Sequence, residues 1–164
     1  MRVRVTLPSL ILLLMVSASL SAQDRKPLGE FNVGYSMLTD FDVAGHGFTL
    51  GIIGNPVQWF GLEGQADAWF NVGHSNADFY TVVGGPRFAM RTRSITPFVH
   101  FLLGGTFARH ATVTESEFVM KLGGGVDFNF GKNYAWRLEV NDFMFADPWD
   151  HNFNASTSFV FRWR

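Results

Sequence analysis

From Phe118 to Val140 the chain reads FVMKLGGGVDFNFGKNYAWRLEV, and its apolar positions recur at every second residue. Phe118, Met120, Leu122, Gly124, Val126, Phe128 and Phe130 share one face, whereas Val119, Lys121, Gly123, Gly125, Asp127 and Asn129 share the other. Beyond Gly131-Lys132-Asn133, Trp136, Leu138 and Val140 alternate with Arg137, Glu139 and Asn141. Strand side chains point to opposite faces in turn, so the stretch predicts a β-hairpin with one apolar and one charged face. A soluble barrel would turn its apolar face inward. Here that face is unbroken, ends in aromatics and opposes Lys, Asp, Arg, Glu and small glycines, which predicts lipid outside and ion pairs inside.

The same period divides the rest of the chain. Strand one is predicted over 30–38, with Phe31, Val33, Tyr35 and Met37 outward and Asn32, Gly34 and Ser36 inward. Strand two covers 46–54 and ends at the Asn55-Pro56 turn. Strand three, 58–70, sets Phe60, Leu62, Ala66 and Phe70 against Glu63, Gln65 and Asp67. Strand four, 78–91, sets Tyr80, Val82, Phe88 and Met90 against Thr81, Gly85, Arg87 and Arg91, with Pro86 requiring a bulge or a poorly bonded position. Strand five, 95–108, puts His100 and Thr106 inside; the opening hairpin supplies strands six and seven; strand eight covers 153–163. The fold class is therefore all-β, an eight-stranded antiparallel up-and-down transmembrane β-barrel over 30–164. The short turns at 55–56, 92–94 and 131–133 lie with the termini on the periplasmic side. Four longer loops, 39–45, 71–77, 108–115 and 146–152, face the exterior.

The amino terminus follows a different pattern. Arg2 and Arg4, an apolar run from Leu7 to Val16 and the small residues up to Ala22 predict a cleaved signal peptide over 1–22, and 23–29 a polar periplasmic lead-in. Two of the 13 Lys and Arg leave with that peptide, so 11 basic residues face 14 acidic ones. A net charge near −3 gives no basis for a nucleic-acid partner. The chain has no cysteine, which excludes disulfides, thiolate metal sites and cysteine nucleophiles. Its 18 Phe and 17 Gly suit a lipid-facing exterior and a crowded interior.

LGGGVDFNF at 122–130, WRLEV at 136–140 and the closing FVFRW at 159–163 carry a resemblance to the small eight-stranded outer-membrane barrels, the OmpA-type transmembrane domains with their OmpX- and OmpW-like members. The resemblance covers the chain from about residue 30 onward. It implies an outer-membrane location, lipid as the standing partner and a monomer. Phe159, Phe161 and Trp163 are similar to the terminal signal by which the barrel-assembly machinery recognises its clients, although Arg164 follows where the family ends on the aromatic. No peptidoglycan-binding segment follows strand eight, so no tether to the cell wall is implied.

Candidate chemistry centres on the lumen. Five bases (Arg87, Arg91, Lys121, Arg137, Arg162) and four acids (Glu63, Asp67, Asp127, Glu139) are predicted to point inward and pair, with His100 among them as a possible ligand or proton carrier. An eight-stranded barrel is about filled by its own side chains, so a plug is expected, with a structural or surface-interaction role and no catalysis, cofactor or metal. Two other roles on this barrel stay open: a narrow channel for small solutes, and a lipid A-modifying enzyme using a Ser and a His oriented by an acid. His74-Ser75 is a weak match to the latter, being adjacent residues that cannot share a strand face. Asp147, Asp150 and His151 form a second loop cluster of cation-binding type.

Overall fold

The computed structural model describes residues 27–40, 43–72, 77–110, 113–145 and 151–164. The signal-peptide stretch 1–22 lies outside them, as do His74, Ser75, Asp147 and Asp150. Eight strands run β1 Gly29–Asp40, β2 Val43–Gly54, β3 Phe60–Val72, β4 Ala77–Ala89, β5 Ile95–His110, β6 Val113–Phe130, β7 Tyr134–Phe145 and β8 His151–Trp163. Each pairs antiparallel with its sequence neighbour, and β1 pairs with β8 from Gly29↔Trp163 to Thr39↔Phe153, closing the barrel.

Parity sets the two faces as the alternation predicts. On β7, Val140 is 61% exposed while its neighbour Glu139 is 2% exposed. Phe31, Leu50, Leu62, Val82, Val99, Leu122, Leu138 and Phe159 continue the exposed apolar belt around the wall. A belt of that extent around a charged interior is a membrane-spanning surface.

The strands extend further at their exterior ends than their alternation indicated. Ladder pairing reaches into each stretch expected as an exterior loop, at Asp40↔Val43, Val72↔Ala77, His110↔Val113 and Met144↔His151. Beyond the lipid there is no apolar face to keep, so period two fades while backbone pairing continues. β6 is the longest at 18 residues, and among the described residues its ladder to β7 runs as far as Val119↔Phe145. The lead-in assigned to 23–29 also ends early, because the Leu28 N–H already donates to the Trp163 carbonyl at 2.9 Å. β3 begins at Phe60, leaving Gln58 and Trp59 outside it, and β4 ends at Ala89, before Arg91. Pro86 is accommodated where the β4–β5 ladder lapses, between Gly84↔Leu103 and Arg87↔His100. At the tightest turn Gly131 has φ +73°, a conformation costly for residues with a Cβ.

Candidate functional site

All ten predicted lumen residues are buried: Glu63, Asp67, Arg87, Arg91, His100, Lys121, Asp127, Arg137, Glu139 and Arg162. Arg91 achieves this from just beyond β4. The expected acid count is corrected by Glu30, which is fully buried at the start of β1 and makes five acids against five bases among the described residues. Its parity matches Asn32 and Ser36, which was the available signal.

The polar residues form two linked clusters. Toward the short-turn end, Glu30 and Asp127 share four guanidinium groups. Asp127 accepts from Arg137 Nε at 2.7 Å, Arg162 Nη2 at 2.7 Å and Arg87 Nη2 at 3.2 Å. Glu30 accepts from Arg91 Nη2 at 2.5 Å and Arg162 Nε at 3.1 Å, with Arg87 and Arg137 each 3.7 Å away. Phe98 lies under both Arg87 and Arg137, whose Cζ atoms are 4.0 and 4.6 Å from its ring centre, so the π face lowers the cost of two adjacent cations.

The second cluster is acid-rich. Lys121 Nζ donates to Asp67 at 3.0 Å and to Gln65 at 2.8 Å and lies 3.8 Å from Glu139. His100 Nδ1 is 3.0 Å from Glu63, and its Nε2 is 2.8 Å from Asn141 Oδ1 and 4.0 Å from Glu139. Asn141 fits because Gly123 faces it across the strand pair: a Cβ on Gly123 would meet the Asn141 side chain and the Val140 carbonyl. Arg137 joins the clusters, with Nη1 3.6 Å from Glu63 and 4.0 Å from Glu139.

Glu63, His100 and Glu139 offer one donor atom each within 4.8 Å of one another, a set that could hold a metal ion. Arg137 and Lys121 already supply positive charge to those carboxylates at 3.6–4.0 Å. The same three residues are thus also a junction of the ion-pair network, whose cations compete with a dication for these carboxylates.

Toward the exterior the lumen turns apolar. Trp69, Val83, Leu102, Val119 and Phe143 form a buried cluster against which Leu38, Phe79 and Phe145 pack. Trp69 and Phe143 meet edge to face at 5.5 Å, Trp69 Nε1 donates to Ser36 at 3.0 Å, and Lys121 Nζ lies 4.8 Å from the Phe143 ring centre. Equating inward with polar concealed this layer, although Trp69 shares parity with Glu63, Gln65 and Asp67.

Phe159, Phe161 and Trp163 are exposed on the outer face of β8, and Tyr134 packs on Phe159 and Phe161. His151 falls on β8 rather than in a loop. Its Nδ1 is 2.9 Å from Asp142 on the outward face at the exterior end.

No protein-family model and no curated protein sequence matches the chain. Solved structures do. Ail, the attachment invasion locus protein of Yersinia pestis, is 18% identical with a TM-score of 0.52, covering 84% of this chain and 98% of its own. Neisserial surface protein A is 7% identical with a TM-score of 0.60, covering 82% and 94%. The outer-membrane enzyme PagL is 12% identical with a TM-score of 0.53, covering 80% and 98%. An attachment protein, a surface protein and an enzyme share this architecture, so the likeness carries the fold and not an activity. With its closed ladder, apolar belt and charged interior, this chain has the fold of the small eight-stranded outer-membrane β-barrels.

Proposed function

We propose that the protein, exported on residues 1–22 and recognised by the barrel-assembly machinery through Phe159, Phe161 and Trp163, is a monomeric, non-conducting barrel that acts through its exterior surface. The observation that carries this reading is the double closure of the lumen. A balanced set of five acids and five bases lies under an apolar layer built on Trp69 and Phe143. A solute path needs continuous wettable lining, and both layers oppose it. Single-channel recording of the purified protein in a planar bilayer tests the reading. The unmodified barrel should show no steady current, and Glu139→Ala should introduce a leak while lowering stability. Steady conductance unaltered by Glu139→Ala or Arg137→Ala would establish a channel instead.

A second reading, action on an outer-leaflet lipid, draws on His151 and Asp142, paired on the lipid-facing side at the exterior end. Such a pair could orient a general base. Mass spectrometry of lipid A from cells producing the protein should show no change; an altered acyl pattern abolished by His151→Ala would favour the enzyme.

A further inference from the structure

The wall is not smooth where β4 and β5 meet at the short-turn rim. Trp59, Phe88, Ala89, Met90, Pro97, Phe98 and Val99 line a groove of about 460 Å³ there, within the range of pockets that hold small ligands, about 300–1,000 Å³. Its outer walls belong to the lipid face: Trp59, Phe88 and Val99 are all exposed, and Trp59 stacks on Phe88 with ring centres 6.0 Å apart. The depth comes from small groups. The β4–β5 ladder ends at Ala89↔Phe98, and beyond it the strands are joined by Met90 N–H to the Pro97 carbonyl at 2.9 Å. Between Trp59 and Val99 the outer surface therefore falls to the Pro97 ring, with Ala89 and Phe98 buried beneath it.

Polarity changes sharply at the tip of the same hairpin. Thr92 and Ile95 close the turn, and Arg93 within it is exposed, with no ion pair or side-chain hydrogen bond to a described residue. The exposed charged side chains among the described residues at this rim, Arg93, Lys132 and Arg164, are all basic. Short turns and termini mark the periplasmic side of such barrels.

We propose that this groove is a site for one anionic phospholipid of the periplasmic leaflet, an acyl chain lying between Trp59 and Val99 and the phosphate meeting Arg93. An apolar slot continuous with the lipid belt, on the hairpin whose turn carries the exposed Arg93, has the two-part chemistry of such a lipid. The inference rests on the membrane-spanning reading and is independent of whether the lumen conducts.

The test is native mass spectrometry of the full mature barrel released from nanodiscs of equal phosphatidylglycerol and phosphatidylethanolamine, with heat-modifiable mobility confirming that each variant is folded. The unmodified protein should retain a single phosphatidylglycerol. Val99→Phe, which fills the groove without touching the lumen, should abolish retention. Arg93→Gln should lower the preference for phosphatidylglycerol about fivefold, the equivalent of about 1 kcal/mol for one basic side chain at a membrane surface. The matched changes Val140→Phe and Lys132→Gln, away from the groove, should alter neither. Equal retention of both lipids, or retention indifferent to Val99→Phe or to Arg93→Gln, overturns the proposal.

Discussion

Among the described residues Asp127 accepts hydrogen bonds from more guanidinium groups than any other lumen carboxylate, and replacing it with alanine is the severest test of the ion-pair account. Three guanidinium groups donate to it within 3.2 Å. At an effective dielectric constant of 20, unit charges about 4 Å apart attract by about 4 kcal/mol. Three such attractions outweigh the several kcal/mol that burying one carboxylate costs. Without it, Arg87, Arg137 and Arg162 are left facing Glu30 alone in their cluster. The expected loss is about 5 kcal/mol, at the top of the range of roughly 3–5 kcal/mol for orphaning a buried partner. Urea unfolding in lipid vesicles, followed by tryptophan fluorescence and heat-modifiable mobility, measures it. Adding Arg87→Met should recover about 2 kcal/mol, because charge balance returns and the methionine still packs on Phe98. A single substitution costing under about 1 kcal/mol, or a double equal to the sum of its parts, would refute the reasoning.

Depth should govern the cost of charge on the lipid face. Leu122→Arg, in mid-strand, should cost about 2–4 kcal/mol, whereas Leu62→Arg, two residues from the periplasmic start of β3, should cost about 0–1 kcal/mol in the same unfolding assay. Gly131→Ala should lose about 1–2 kcal/mol from the positive φ alone, since no atom lies within 4 Å of the added methyl. Gly123→Ala should lose about 1–3 kcal/mol by a different route, displacing Asn141 from His100. Both glycine variants can be read as shifts in the urea midpoint.

Within the membrane the fold was legible because lipid outside and charge inside impose period two on every strand. Parity alone placed Lys121, Arg137 and Glu139 in the lumen. Two parts escaped it. The contacts across the lumen, such as Arg91 with Glu30 or His100 with Glu63, join strands that are not neighbours in sequence, and alternation carries no information about them. The apolar layer around Trp69 and Phe143 was missed because an inward tryptophan leaves the same local pattern as a break in the polar face. His151 illustrates the limit at the exterior rim, where no lipid enforces alternation and a paired residue reads as loop.

The β1–β8 seam has a consequence for how the barrel comes to be sealed. It joins residues at opposite ends of the described chain, Gly29 to Trp163, whereas every other ladder joins neighbours in sequence. Until β8 is in place, the outer edges of β1 and β7 both offer unpaired backbone groups, a template on which another chain can add. Resistance to strand addition is therefore acquired only with the pairing of longest sequence separation, the kind that forms most slowly.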